Sequence, residues 1–298
     1  MLTEEDKADR FALRTLFEKR LVNEETKAGF FYFENQRLMI AEGPETYVVV
    51  PGDMAIGYPL FMNGESDFSK FKDAMKLVNQ VKSEPIEILW DIGANIGSIC
   101  IPAVNRNLVK KAVAFEPEKR LFKLLRANAV LNEVDDRITF HNTALGAESS
   151  TAELMIGEGN TGDYRIVGKF LDNDAMDEAS RQRQTIKVQP LDNFADSFEA
   201  RRTLIFMDIQ GYEGLALSGA QRIISTSPPL VTEFWPYAMK RLDAYKLLRD
   251  IVCSGIYSEF ADLSSEAKQF STLTASALDE LYGNLGEDHQ KSTDLLFV

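Results

Sequence analysis

The stretch Ile86–Pro102, reading IEILWDIGANIGSICIP, decides the fold. It opens with an apolar run, Ile86–Glu87–Ile88–Leu89–Trp90, of the kind a strand needs when both faces of its sheet are covered. Asp91 closes that run. Gly93, Asn95 and Gly97 then crowd a tight turn, and Ile99, Cys100, Ala103 and Val104 follow at the 3.6-residue spacing of a packed helix. A strand, a glycine-rich turn and a helix in that order build a site for an adenosine cofactor. Glycine lets the backbone approach a ligand, and the helix N-terminus offers unpaired N–H groups.

The spacing separates two kinds of cofactor. A dinucleotide fingerprint is G-x-G-x-x-G, with room for a pyrophosphate at the second glycine. Here Asn95 stands at that second position and Ser98 at the third. Asp91, on the strand before the turn, would repel a pyrophosphate. It suits instead the ammonium and sulfonium of S-adenosylmethionine. The next apolar run, Lys111–Phe115, ends in Glu116–Pro117, and Glu116 lies 25 residues beyond Asp91 (116 − 91). An acid near that spacing takes ribose hydroxyls. Pro117 suits the first position of a helix whose apolar face is Leu121, Leu124, Leu125 and Ala129. Arg137–His141 reads as a third strand, with Asn142 at its end as the expected adenine contact. The competing reading is a generic βαβ unit with incidental glycines, but strand, acid, turn, helix, strand and acid all fall in order.

The chain resembles the FkbM-type S-adenosylmethionine-dependent methyltransferases. The resemblance runs from about Val48 to the C-terminus and is carried by WDIGANIG (Trp90–Gly97), AFEP (Ala114–Pro117), RANAVLN (Arg126–Asn132), NTALG (Asn142–Gly146), GNTG (Gly159–Gly162), LDNF (Leu191–Phe194), MDIQGYEGLALSGA (Met207–Ala220) and VTEFWP (Val231–Pro236). The first motif alone marks a class I methyltransferase; the D-I-Q-G-x-E block is the specific part. Gln210 departs there from the commoner D-V-E-G-x-E form. The resemblance implies that the segment Ile56–Glu65, read as an aromatic, glycine-rich loop, closes over cofactor and substrate, and that the GNTG turn approaches the site.

Composition sets the outer bounds. With 298 residues, 45% of them hydrophobic, the chain can bury a full α/β core. No apolar run reaches the roughly 20 residues of a membrane span, and no signal peptide is visible at Met1–Arg10. The two cysteines, Cys100 and Cys253, read as small apolar groups in a reducing cytoplasm. A formal net charge of −13 argues against nucleic acid as the partner.

From the N-terminus, the pattern predicts a helix with Leu13, Leu16, Phe17 and Leu21 on one face, a small antiparallel meander over Phe30–Val50, and a helix over Asp67–Val81. Residues 1–82 are expected to form an extension packed on a methyltransferase domain of residues 83–298. Ala152–Ile156 and Thr185–Pro190 are two more strand patterns, separated by a polar, acidic insertion. Thr203–Met207 ends in Asp208, and Leu230–Thr232 leads into Glu233. A helix over Tyr237–Cys253 and strands near Tyr257–Ala261 and Asp294–Val298 complete the chain. The expected sheet is seven-stranded and Rossmann-like, order 3-2-1-4-5-7-6, with helices on both faces.

Ligands of open α/β sheets bind outside the carboxyl ends of the strands. Asp91, Glu116, Asn142, Asp208 and Glu233 all stand at such ends. The cofactor set is therefore Asp91, Gly93, Asn95, Gly97, Glu116, Asn142 and Asp208, and the catalytic candidates are Asp208 and Glu233, with no metal. Methyl transfer from a sulfonium is an in-line displacement that needs donor and acceptor held in geometry, and a hydroxyl acceptor needs a base. Asp208 and Glu233 could act as base and orienting partner. Alternatively, the pair binds a divalent cation through oxygen ligands, or Asp208 grips the methionyl end and Glu233 bonds backbone. The expected acceptor is a hydroxyl of a small molecule or sugar; an amine acceptor or a non-catalytic cofactor-binding protein are the alternatives. His141, inside an alternating strand, reads as structural.

Overall fold

The computed structural model describes residues 38–169, 176 and 178–298. The expected helix around Leu13–Leu21, the strand at 30–35 and residues 172–175 and 177 of the acidic stretch lie outside the described residues.

The described chain begins with a hairpin, β1 (Met39–Glu42) antiparallel to β2 (Thr46–Val49), followed by α1 (Gly57–Asn63) and α2 (Phe68–Val81). The loop expected over Ile56–Glu65 is thus mostly a helix. Asp53 accepts the N–H groups of Ala55, Ile56 and Gly57 at 3.2, 3.2 and 3.1 Å, fixing the turn that leads into the helix, and Gly64 ends it at φ 73°. Next come β3 (Ile88–Ile92), α3 (Cys100–Asn105), β4 (Lys111–Phe115), α4 (Lys119–Leu131) and β5 (Ile138–His141). Short and longer strands alternate after that: β6 (Ala144–Leu145), β7 (Ser150–Ile156), β8 (Arg165–Ile166), β9 (Gln182–Gln189) and β10 (Thr203–Met207). The chain closes with α5 (Glu213–Ser218), α6 (Gln221–Ile224), β11 (Leu230–Phe234), α7 (Pro236–Leu242), α8 (Tyr245–Val252), β12 (Glu259–Asp262), β13 (Phe270–Thr272), α9 (Ala275–Leu285) and β14 (Thr293–Phe297). The single helix expected over Tyr237–Cys253 is two, α7 and α8, because Asp243 turns left-handed at φ 52°.

The main sheet runs β13-β12-β14-β11-β10-β3-β4-β5. Pairs from β5 to β11 are parallel, and β14 is antiparallel to both β11 and β12. The count of seven strands is corrected to eight: the three-residue β13 adds an edge antiparallel to β12. Phe-Ser-Thr is too short to show an alternation, so no periodicity announced it. A second sheet, β6-β9-β7-β8, is built on the β7–β9 pair.

Two apolar cores flank the main sheet, and strand alternation divides them. Leu89, Leu204, Phe206 and Val231 face one core with Phe71, Val78, Ile101 and Leu125. Ile88, Trp90, Ile92, Ile205, Met207 and Leu230 face the other with Ala216, Leu217, Leu248 and Leu278. All five residues of β3 and of β10 are buried, which is why both read as mainly apolar runs, broken only by Asp91 and Thr203. Tyr47, Val49 and Leu60 join the first core, so the hairpin and α1 pack on the same body. Among the described residues β2 pairs only with β1. Its free edge is met by α4: Asn128 bonds both peptide groups of Val48 (N–H to Oδ1 2.7 Å, Nδ2 to O 3.3 Å), and Asn132 does the same for Thr46 (2.9 and 2.7 Å). Among the described residues no helix is long and apolar enough to cross a membrane.

Candidate active site

A cleft of about 610 Å³ opens at the carboxyl ends of β3, β4 and β10. Its floor is the turn after β3. Gly93 lies at φ 91°, and a Cβ there would sit 2.0 Å from the carbonyl oxygen of Asp208, so only glycine fits. The N–H groups of Gly93 and Ala94 both donate to Phe115 O at 3.0 Å, tying the turn to the end of β4. Asn95 is also left-handed, at φ 51°. That conformation sends its N–H to Glu116 Oε2 at 2.9 Å, while Glu118 N–H donates to Oε1 at 2.7 Å. Burial pushes the Glu116 carboxyl up to about 8, against the pull of these two N–H donors.

The roof comes from the GNTG turn and the second sheet: Thr161, Gly162 and Tyr164, with Leu154 and Ile166 behind them. Asn95 Nδ2 donates to Thr161 O at 2.8 Å, joining floor to roof.

Of the expected cofactor residues, Gly93, Asn95, Glu116 and Asp208 line the cleft. Three others stand outside its wall. Asp91 is only 2% exposed, and its Oδ2 accepts the N–H of Cys100 at 3.1 Å, fastening the first turn of α3. Burial raises that carboxyl to about 7. Gly97, at φ 96°, packs where a Cβ would meet Ile101 at 2.4 Å. Asn142, the expected adenine contact, donates its amide back to the carbonyls of Glu116 and Pro117 (2.8 and 3.0 Å), and so braces the end of β4. Thr143 and Ala144 occupy the cleft wall beside it. The ring of His141 stacks on Phe115 with centroids 4.9 Å apart.

The opposite end of the cleft holds the carboxylates. Asp208 and Glu233 are brought together, but through Gln210: its Nε2 donates to Asp208 Oδ1 at 2.8 Å and to Glu233 Oε2 at 3.0 Å. Gln210, left-handed at φ 58°, lines the cleft with Asp208, whereas Glu233 sits one layer back. Asp294, opposite Glu233 in the β11–β14 register, pairs with Lys70 of α2 at 2.9 Å. Lys70 also reaches Asp67 at 3.2 Å. Behind Gln210, the fully buried Glu213 accepts the N–H groups of Ile209 and Gly211 through Oε1 (3.0 and 3.3 Å), and its Oε2 has no hydrogen-bond partner among the described residues. Burial raises the carboxyls of Asp208, Glu213 and Glu233 above their ordinary range. Asp208 and Glu213 add to the rise at Glu233, and Lys70 opposes it. A carboxylate whose pKa is lifted toward neutrality is a stronger base than an exposed one.

Five participants were not named as site residues from the sequence: Asp53, Thr161, Gln210, Glu213 and Lys70. Thr161, Gln210 and Glu213 lay within recognised motifs, and Asp53 stands just before a helix start, where Asp is a capping signal. Lys70 carries no such signal, because its place beside Asp294 depends on how α2 packs against β14.

Residues 91–270 match the family model of the FkbM methyltransferase domain. No curated protein matches the sequence. Among solved structures, the FkbM methyltransferase of Methylobacillus flagellatus KT is 19% identical at a TM-score of 0.43, with 76% of this chain covered. This chain spans about half of that protein, 48% of its length. TYW2 of P. horikoshii, solved in complex with MeSAdo, is 13% identical at a TM-score of 0.37, over 88% of this chain and 71% of that one. The precorrin-6Y C5,15-methyltransferase of Geobacter metallireducens GS-15 is 13% identical at 0.36, over 77% and 86%. These structural likenesses are loose, whereas the family match spans well over half of the chain and contains the cleft's floor, roof and carboxylate end. The chain belongs to the FkbM-domain methyltransferase family.

Proposed function

We propose that this protein transfers a methyl group from S-adenosylmethionine to a hydroxyl of a small molecule or a sugar-containing acceptor. The observation that carries the reading is the Asp208–Gln210–Glu233 bridge at one end of a cleft whose other end is the Asn95–Glu116 pair. The cleft fits the cofactor on its own terms: a buried carboxylate at Glu116 and apolar walls at Leu121, Leu154 and Ile166. Each Glu116 oxygen takes one backbone N–H and retains a second lone pair for a ribose hydroxyl.

When bound, the cofactor supplies an electrophilic methyl on a sulfonium. The chain's own residues orient the acceptor and take its proton. Both Nε2 protons of Gln210 are spent on the two carboxylates, so its Oε1 and the carboxylate oxygens leave a rim that only accepts hydrogen bonds. A hydroxyl donates to such a rim, and Asp208, at the cleft wall, is the group placed to remove its proton, with Glu233 holding Gln210 from behind. A protonated amine would also donate there, and this is the second reading. The acidic balance of the chain and the two unpaired cysteines fit a small acceptor in a reducing compartment rather than nucleic acid.

Calorimetry with S-adenosylhomocysteine and with NAD tests the cofactor. Tighter binding of NAD, or no binding of S-adenosylhomocysteine, rejects the proposal. Methyl transfer from labelled cofactor to matched hydroxyl and amine acceptors then separates the two chemistries. Binding without transfer to any acceptor in a broad panel would favour a cofactor-binding protein instead.

A further inference from the structure

Asp53 lies outside the cleft, 1% exposed, in the turn between β2 and α1. Five donors converge on its carboxylate. Three are the N–H groups of Ala55, Ile56 and Gly57, in the turn that leads into α1. The other two both come from Thr161, 108 residues away: its N–H at 3.3 Å to Oδ1, and its hydroxyl at 2.6 Å to Oδ2. The neighbouring Met54 N–H donates to Gly159 O at 2.9 Å, a second tie between the same two turns. Capping α1 does not require Thr161, so the surplus bonds need another account.

They lead into the cleft. Held by Asp53 at its N–H and side chain, Thr161 turns its carbonyl to Asn95 Nδ2 at 2.8 Å. Asn95 Oδ1 accepts the N–H of Ile96 at 2.8 Å, so its side chain is fixed at both ends. A residue fixed this way is held in its left-handed conformation, φ 51°, in which its N–H reaches Glu116 Oε2. The path runs Asp53, Thr161, Asn95, Glu116, each step made by direct hydrogen bonds between buried groups, and its end is the carboxylate assigned to the ribose.

We infer that Asp53 is a positioning residue for the cofactor, which sets the orientation of Glu116 and the height of the Thr161 roof through this chain of hydrogen bonds. The inference rests on the cofactor reading above. It makes the segment before β3 a part of the binding site rather than a lid alone.

The test is the affinity of the full chain for S-adenosylhomocysteine, measured by calorimetry. Asp53→Ala and Thr161→Val should each raise Kd roughly tenfold, the loss expected for a charge-assisted bond acting at one remove. Thr161→Ser retains the hydroxyl and should bind like the parent. The double variant should bind no more weakly than the poorer single variant, because both cut the same bond. Additive losses in the double variant, or a Kd unchanged in Asp53→Ala while the thermal midpoint falls, would overturn the inference and leave Asp53 a helix cap. Should Asp53→Ala fail to fold, the pair Thr161→Val and Thr161→Ser decides alone: equal Kd values overturn it. Failure of the parent chain to bind S-adenosylhomocysteine is a separate result, which overturns the cofactor reading itself.

Discussion

Asp208 and Glu233 are joined through one nitrogen, Nε2 of Gln210, which lies 2.8 Å from the first carboxylate and 3.0 Å from the second. The amide lets two acidic groups share a site that their charges would otherwise split. Asp208→Asn keeps the shape and removes the proton affinity at the cleft wall. It should lower turnover by ~10²–10⁴-fold with S-adenosylhomocysteine affinity nearly intact. Gln210→Glu puts a third carboxylate between the two and should also lower turnover, less so at acidic pH, where the added group is protonated. A cofactor affinity that collapses in Asp208→Asn, with the saturated rate spared, would place Asp208 on the methionyl end instead.

Glu116 should give cofactor binding a pH dependence. Its carboxyl is lifted to about 8 by burial in the free protein, whereas gripping two ribose hydroxyls requires the ionised form. Affinity for S-adenosylhomocysteine should therefore rise with pH up to about 8 and level off above it, with a proton released on binding below that pH. Glu116→Ala should flatten that rise and weaken binding by about 2–4 kcal/mol. Calorimetry in buffers of different ionisation enthalpy reads both; an affinity independent of pH would contradict the assignment.

Gly93 and Gly255 have nearly the same backbone, φ 91° and 94°, and opposite surroundings. A Cβ at Gly255 meets nothing within 4 Å, so Gly255→Ala should cost only the left-handed strain, about 1–2 kcal/mol. A Cβ at Gly93 would overlap the Asp208 carbonyl, so Gly93→Ala should fail to fold or lose far more than that. Denaturant unfolding of the two variants compares them directly. Equal losses would mean that the β3 and β10 ends are not held this closely.

Glu213 governs stability against pH. Its folded pKa, raised to about 8 by burial, exceeds that of the unfolded chain. Between the two values the native state binds more protons than the unfolded state. Stability from this group is thus complete below the unfolded pKa of about 4.3 and is lost as pH rises toward 8. Thermal midpoints across that window should fall in the parent chain and fall less in Glu213→Gln, whose amide retains the acceptor for Ile209 and Gly211. Parallel curves would show that Glu213 is ionised throughout.

What the sequence made legible follows from how local each signal is. The β3 turn and Glu116 were readable because one short stretch carries strand, acid and glycines together. The bridging role of Gln210 was not, since it depends on β10 and β11 lying side by side with Glu233 turned toward the turn after β10. Asn142 has the side chain expected of an adenine contact, yet it bonds the carbonyls of Glu116 and Pro117 just past β4, a choice set by residues 26 and 25 positions earlier in the chain. The helix at Gly57–Asn63 was hidden by its own Gly and Pro content; its cap, Asp53, stands outside the periodic segment. Asp243, likewise, breaks a helix whose apolar spacing runs on past it.

The two asparagines of α4 measure out the hairpin beside it. Four residues of helix advance about 6 Å and two residues of strand about 6.8 Å, so side chains at Asn128 and Asn132 match peptide groups at Val48 and Thr46. A slip of one residue would present Tyr47 to these amides and turn its ring out of the core. The helix is thus a ruler for a strand that comes about 80 residues earlier in the chain. An extra residue in the Gly43–Glu45 turn should accordingly displace β1 against β2 and leave β2 where it is.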